Sequence, residues 1–349
     1  MQRRRQWKCP LVEIIEDRVL LTAFLVDTLV DESDGNFEPG DLSLREAIEQ
    51  ANANPGADMI EFSPLLSDRT IVLGGSELVI SDALTITGLG ADRLTIDGNN
   101  KSRIFSIGNG VTTELSDLSL TGGNGRGATS NGWGGAILSE GDLTIDGVRI
   151  HHNTVSDGIP TGAGIRQSFG ALVVTNSTID HNEITTGTGR GGGIDFGGTT
   201  FHLVNSTIAN NAAGTGGGVY VVNTSDTVIR NATIAFNSSP SYGGGLASLQ
   251  GVGGQITLHN SLVIGNDGKD HYDNFYGSFL NAASSFNLVG TGITGGLQNG
   301  VNGNQTGLTA AAVLESTLTN NGGPTPTLAL LPGSPAIDAG DNAACPAVD

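Results

Sequence analysis

Cysteine is almost missing from this chain. The two present, Cys9 and Cys345, lie near opposite ends of 349 residues with no metal-ligand or CxxC spacing, which excludes a disulfide framework. Cationic side chains are scarce as well. Sixteen Lys and Arg face 35 Asp and Glu, a formal charge of −19, which argues against nucleic acid or anionic lipid as a partner because phosphate binding needs positive charge. No uninterrupted apolar run reaches about 18 residues, so no transmembrane helix is expected. Aromatic residues make up only 5% of the chain, yet apolar residues reach 37% and are concentrated in Val, Ile and Leu. Disorder is therefore excluded, and a long, narrow core is favoured.

What the chain has in abundance is glycine, 54 residues, and it is periodic. From Gly134 onward each segment opens on GGAI, GAGI, GGGI, GGGV or GGGL, with aliphatics at Ile137, Ile165, Ile194, Val219 and Leu246. Each closes on a short run ending in Asn: VRIHHN, STIDHN, STIANN, ATIAFN and SLVIGN. The closing aliphatics Ile150, Ile179, Ile208, Ile234 and Val263 recur at a near-constant interval, shortened only between Ile208 and Ile234. A third apolar run lies between, at Leu143, Leu172, His202, Thr227 and Ile256. Three short strands per repeat predict a three-faced coil stacked on its neighbours about 4.8 Å away. The fold expected is all-β: a right-handed parallel β-helix, a single-stranded solenoid of about seven coils.

Repetition also decides the smaller motifs. GTGRGGG at Gly187–Gly193 resembles a phosphate-cradling loop, but such a loop occurs once, between a strand and a long helix. The glycine triplets fit a recurring corner that needs positive φ or lacks room for a Cβ. The closing asparagines Asn153, Asn182, Asn211, Asn237 and Asn266 would stack as a structural amide ladder; ordinary turn asparagines are the other reading. Asn124, one repeat length before Asn153, suggests that degenerate earlier coils keep this register between Thr70 and Gly123. An open stack end invites another chain to add on. In GDLSLREAIEQANANPG, Ser43 and Glu46 form a capping box, and Leu44, Ala47, Ile48 and Ala51 share one face of a helix of about 11 residues that would cover the first coil.

Arg3, Arg4, Arg5 and Lys8 make a basic start and Val19–Val26 an apolar run, but Glu13, Glu16 and Asp17 interrupt the approach, unlike a simple secretory signal. The stretch Ile14–Phe24 resembles the surface signal of exported planctomycete proteins, with Asp17 where that pattern has Pro. Residues Leu29–Phe62 are similar to the CSLREA motif of bacterial surface β-helix proteins, with Leu42 in place of its Cys. SSFNLVG from Ser284, together with Leu318–Cys345, resembles the choice-of-anchor Q region. The resemblance implies a pectate-lyase-like β-helix that is secreted or displayed at the cell surface or outer membrane. It divides the chain into an export segment (1–26), a cap with an amphipathic helix (27–69), coils (70–275) and a C-terminal anchor-type region (276–349). That pattern normally continues to a second Cys, so the last region is expected to be incomplete.

Chemistry is harder to find. His152 and His181 occupy equivalent positions in adjacent repeats, with His151 and Asp180 beside them; they could hold a metal or exchange protons, or simply flank a turn. Asp267, Asp270 and Asp273, and Asp31, Glu32 and Asp34, are dense enough to attract Ca²⁺ or to be solvated acidic loops. Arg126, Arg149, Arg166, Arg190 and Arg230 do not fall on one column with paired Asp. No residue is assigned a catalytic role and no cofactor is expected. The expectation is a noncatalytic adhesin, envelope scaffold or glycan-binding protein whose partners are extracellular polysaccharide or envelope components. The alternative is a polysaccharide lyase or glycoside hydrolase acting on acidic glycans.

Overall fold

The computed structural model describes residues 22–222, 226–248, 256–277 and 280–342. Cys9, Cys345, Arg3, Arg4, Arg5, Lys8 and most of the 1–26 segment lie outside these described residues. Short strands pair in parallel with their counterparts one coil on and build three long sheets of nine, eight and ten strands. The first runs from Ala23–Val26 to Ile256–His259, the second from Leu78–Ile80 to Phe275–Tyr276, and the third from Arg69–Val72 to Gln305–Leu308. The result is a parallel β-helix of about eight turns, not seven. Its coils extend past 70–275 at both ends, because Asp58–Phe62, Leu288–Gly290 and Gln305–Leu308 are strands of these sheets. Those strands lack the glycine opening that marks the regular repeats.

The register explains the periodicity. Ile150 pairs with Ile179, Ile179 with Ile208, Ile208 with Ile234 and Ile234 with Val263, all fully buried. Each such side chain contributes about 1.5–3 kcal/mol by leaving water. At the opening corner, the first glycine of each triplet (Gly134, Gly162, Gly191, Gly216, Gly243) has φ between +61° and +69°. A Cβ on Gly134 or Gly162 would also strike the carbonyl of Ile137 or Ile165, three residues on.

Both ends of the stack are covered. Helix α1 (Leu44–Ala53) starts at Ser43, whose Oγ accepts from the Glu46 N–H at 3.1 Å, while Glu46 Oε2 accepts from the Ser43 N–H at 3.2 Å. Its buried Leu44, Ala47, Ile48 and Ala51 lie toward strands Ala23–Val26, Asp58–Phe62 and Leu78–Ile80. At the other end Leu280, Ile293 and Leu297 pack onto the core. A hairpin of Leu314–Thr319 and Thr327–Leu330 then folds back along the outside of the third sheet, and its Val313, Leu314 and Leu328 cluster with Ala209, Ala235, Ile264 and Leu288.

Candidate functional site

Side chains alternate along a strand, so the residue just after each opening aliphatic points outward from the second sheet. In order these are Leu138, Arg166, Asp195, Tyr220, Ala247 and Tyr276, paired rung on rung. The residue just before each glycine triplet forms a second column, with bridges from Trp133 to Thr161, Arg190, Thr215 and Tyr242 in turn. The two columns flank a surface cleft of about 400 Å³ lined by Trp133, Arg166, Arg190, Tyr220, Tyr242 and Tyr276, among others.

The cleft joins aromatic and charged groups. Arg166 lies over the Trp133 ring at 5.4 Å and Arg190 over the Tyr220 ring at 5.1 Å, geometry that favours cation–π attraction. The Tyr242 and Tyr276 rings stack at 4.6 Å. Asp195, with no exposure, stands between the two cations: Oδ2 is 2.7 Å from Arg166 Nη1 and 3.2 Å from Arg190 Nε. Arg166 and Arg190 stand in different columns, as expected, yet share this one carboxylate across them. Burial pushes the Asp195 carboxyl above its ordinary value, although both guanidiniums pull it down. Burial likewise raises the Tyr220 phenol. Several buried polar atoms here have no aligned hydrogen-bond partner: Arg166 Nε and Nη1, Thr161 Oγ1 and Asp195 Oδ1.

The closing asparagines are brought together at another corner. Asn153, Asn182, Asn211 and Asn237 are fully buried, and Asn266 nearly so. Each Nδ2 donates to the Oδ1 of the next at 2.9–3.0 Å, and each Oδ1 also accepts the backbone N–H of the preceding Asn. The column continues onto Asn274, which accepts from Asn266 at 3.0 Å. Asn124 is not a member: Leu120 pairs with Ile150, which sets Gly123 against Asn153, and it is the Gly123 N–H that reaches Asn153 Oδ1. A second, unread column runs along the next corner. There Ser177, Ser206 and Ser261 accept backbone N–H groups from the preceding coil, and Asn287 donates to Asn304. Its signal was the recurring NST, NST, NAT, NSL.

The histidines do meet. His152 and His181, both at positive φ, stack with centroids 4.9 Å apart and planes 1° from parallel. His151 Nδ1 lies 2.8 Å from His152 Nδ1, and His181 Nδ1 lies 2.7 Å from Asp180 Oδ2. Arg149 grips Asp180 with two bonds of 2.9 Å. Burial works to raise the Asp180 carboxyl, but the bonds from Arg149 and His181 outweigh it and hold it below its ordinary value. Burial, followed by the Arg149 charge, brings His151 down to about 4, and burial lowers His152. The group is an ion pair flanked by imidazoles, with both oxygens of its one carboxylate engaged. Among the described residues no set of three or more His, Cys, Asp or Glu converges to hold a metal ion, the acidic stretches at Asp31 and Asp267 included. Asp31 is instead paired with Arg45 at 2.8 Å.

No curated relative and no solved structure matches the chain. Residues 90–305 match the family described as the right handed beta helix region. That match spans most of the stacked coils, including every strand that lines the cleft, and the chain belongs to the right-handed β-helix family.

Proposed function

We propose that this protein is a noncatalytic glycan-binding β-helix that works outside the cytoplasm, and that the aromatic cleft of the second sheet is its binding site. One observation carries the reading: Trp133, Tyr220, Tyr242 and Tyr276 surround two arginines in one outward cleft. A sugar ring presents an apolar C–H face that packs on aromatic rings while its hydroxyls seek polar partners, and this cleft supplies both. The asparagine column and the His152–Asp180 group are accounted for by laddering and ion pairing.

The same geometry disfavours a lyase or hydrolase. Proton abstraction or nucleophilic attack needs a carboxylate or base with a free, accessible atom. Asp195, with no solvent exposure, lies against both arginines. Placement at the surface or in the medium is supported by the likeness of both end segments to exported bacterial proteins. The test is a screen of the purified chain against immobilised glycans beside Trp133→Ala. The reading expects retention of at least one glycan by the parent and its loss in the variant, with no depolymerised product. A parent that binds no glycan, or that releases oligosaccharides, refutes it.

A further inference from the structure

We infer that the adjacent imidazoles of His151 and His152, at the end of the third-sheet strand Arg149–His151, form a two-nitrogen site for a late first-row divalent cation, Cu²⁺ in preference to Zn²⁺. Ion pairing engages Arg149, Asp180 and His181 and saturates their one carboxylate, but the contact between His151 and His152 lies outside it. Their Nδ1 atoms are 2.8 Å apart, with the ring planes 88° from each other. Two nitrogens bound to one metal at ~2.0–2.1 Å stand ~2.8–3.0 Å apart at a right angle and ~3.3–3.4 Å apart at the tetrahedral angle. The observed spacing is that of the right angle. It matches the cis edge of a tetragonal plane, the geometry of Cu²⁺ and Ni²⁺, whereas Zn²⁺ favours the wider tetrahedral arrangement. Of these three ions Cu²⁺ is also the one that nitrogen ligands bind most tightly.

Both rings are held in place. His151 Nε2 lies 3.0 Å from Ser119 Oγ, and that hydroxyl donates to the Arg149 carbonyl at 3.4 Å. A carbonyl only accepts, so Ser119 Oγ is left to accept from a protonated Nε2, and His151 Nδ1 keeps its lone pair for a metal. Fixing a histidine through its far nitrogen is the usual way a metal site sets the tautomer of its ligand. His152 stacks on His181 with centroids 4.9 Å apart and planes 1° from parallel, and Asp180 anchors His181 in turn. The register pairs His151 with Asp180, so the same turn one coil on joins an imidazole to a carboxylate that Arg149 already holds. It is the His151 coil that sets two nitrogens together. His152 is exposed, so water reaches the remaining positions of the plane. Burial favours the neutral, ligating form of both imidazoles. Arg149 and Asp180 offset each other in charge, and a chain with a formal charge of −19 draws cations toward it.

The experiment titrates the full chain with Cu²⁺ alone at neutral pH and follows it by electron paramagnetic resonance. The protein is made without a histidine tag and with Cys9→Ser and Cys345→Ser, so that thiols do not compete. One equivalent should bind with the axial spectrum of a tetragonal site and splitting from two nitrogens, and Zn²⁺ should displace it only in large excess. His151→Ala and His152→Ala should each weaken binding about tenfold or more and leave splitting from one nitrogen. His181→Ala should keep both nitrogens, and His202→Ala should change nothing. Melting curves report whether each variant is folded, and His152→Ala, at an exposed position, carries the test if His151→Ala is not. No bound equivalent, the same splitting in the parent and in His152→Ala, or Zn²⁺ held as tightly as Cu²⁺ overturns the site. Each of these results leaves glycan binding by the second-sheet cleft standing.

Discussion

Replacing Asn211 by Ala removes the middle of the amide ladder, and the loss can be worked out bond by bond. Asn211 Oδ1 accepts the Asn182 backbone N–H at 3.0 Å and Asn182 Nδ2 at 2.9 Å, while its Nδ2 donates to Asn237 Oδ1 and to the Ile179 carbonyl, both at 2.9 Å. After truncation Asn237 Oδ1 keeps the Asn211 N–H as a donor at 3.0 Å. Asn182 fares worse, since its N–H and one Nδ2 proton lose their acceptor in a site with no solvent exposure. Two orphaned buried donors at about 1–3 kcal/mol each give a cost of about 2–6 kcal/mol. At ~2 °C per kcal/mol for a large domain, the melting temperature should fall by about 4–12 °C. Circular dichroism on heating measures the shift, and hydrogen exchange should show faster exchange at the Asn182 amide first. Asn320→Ala, at an exposed turn, is the control and should move by less than about 1 °C. Equal shifts for the two variants would refute the ladder as a source of stability.

The capping box makes Ser43→Ala destabilising by about 1 kcal/mol, read as a lower denaturant midpoint, whereas Ser43→Asp should keep most of the stability. Arg103 is fully buried, pairs with Glu77 and donates to the carbonyls of Trp133 and Ser130; Arg103→Met should cost about 3–5 kcal/mol by stranding that carboxylate, and Arg103→Met with Glu77→Gln should recover part of it. His151 has a folded pKa of about 4 against 6.5 unfolded, so between these values the unfolded chain binds more protons. Its contribution to stability is complete above pH 6.5, falls as the pH drops to about 4 and changes no further below that. Urea midpoints at pH 7, 5.5 and 4 should show a shallower decline in His151→Leu than in the parent, and identical slopes would count against a neutral, buried imidazole.

The coils, their inward aliphatics, the capping helix and the asparagine column are legible because each is a local pattern repeated at a constant spacing. The coil count is short because Asp58–Phe62 and Gln305–Leu308 stack without the glycine corner that advertises the others. Asn124 misleads because the coil between Leu120 and its partner Ile150 is one position longer than the regular repeat, and a pair of aligned asparagines cannot reveal that. The cleft escaped for a different reason. Its residues stand immediately before and after the conspicuous glycine-aliphatic openings, and they differ in kind from coil to coil: Trp133, Arg166, Arg190, Asp195, Tyr220, Tyr242. A repeat is recognised by what stays the same, whereas a binding site built on it consists of what changes. Aligning the coils on their glycines and reading only the flanking positions would have found it.

The returning hairpin alters the way such a stack comes apart. In a solenoid each repeat touches only its neighbours, so stability is close to a one-dimensional sum and terminal units can fray one at a time. Here the C-terminal segment reaches across five successive strands of the third sheet, from Thr178, whose Oγ1 donates to the Pro326 carbonyl at 2.6 Å, to Ala209, Ala235, Ile264 and Leu288. Coils that never meet are thereby coupled through a shared splint. Pulling on the C-terminal end must shear this splint lengthwise before any coil beneath it can unwind, so fraying from that end gives way to a single cooperative rupture.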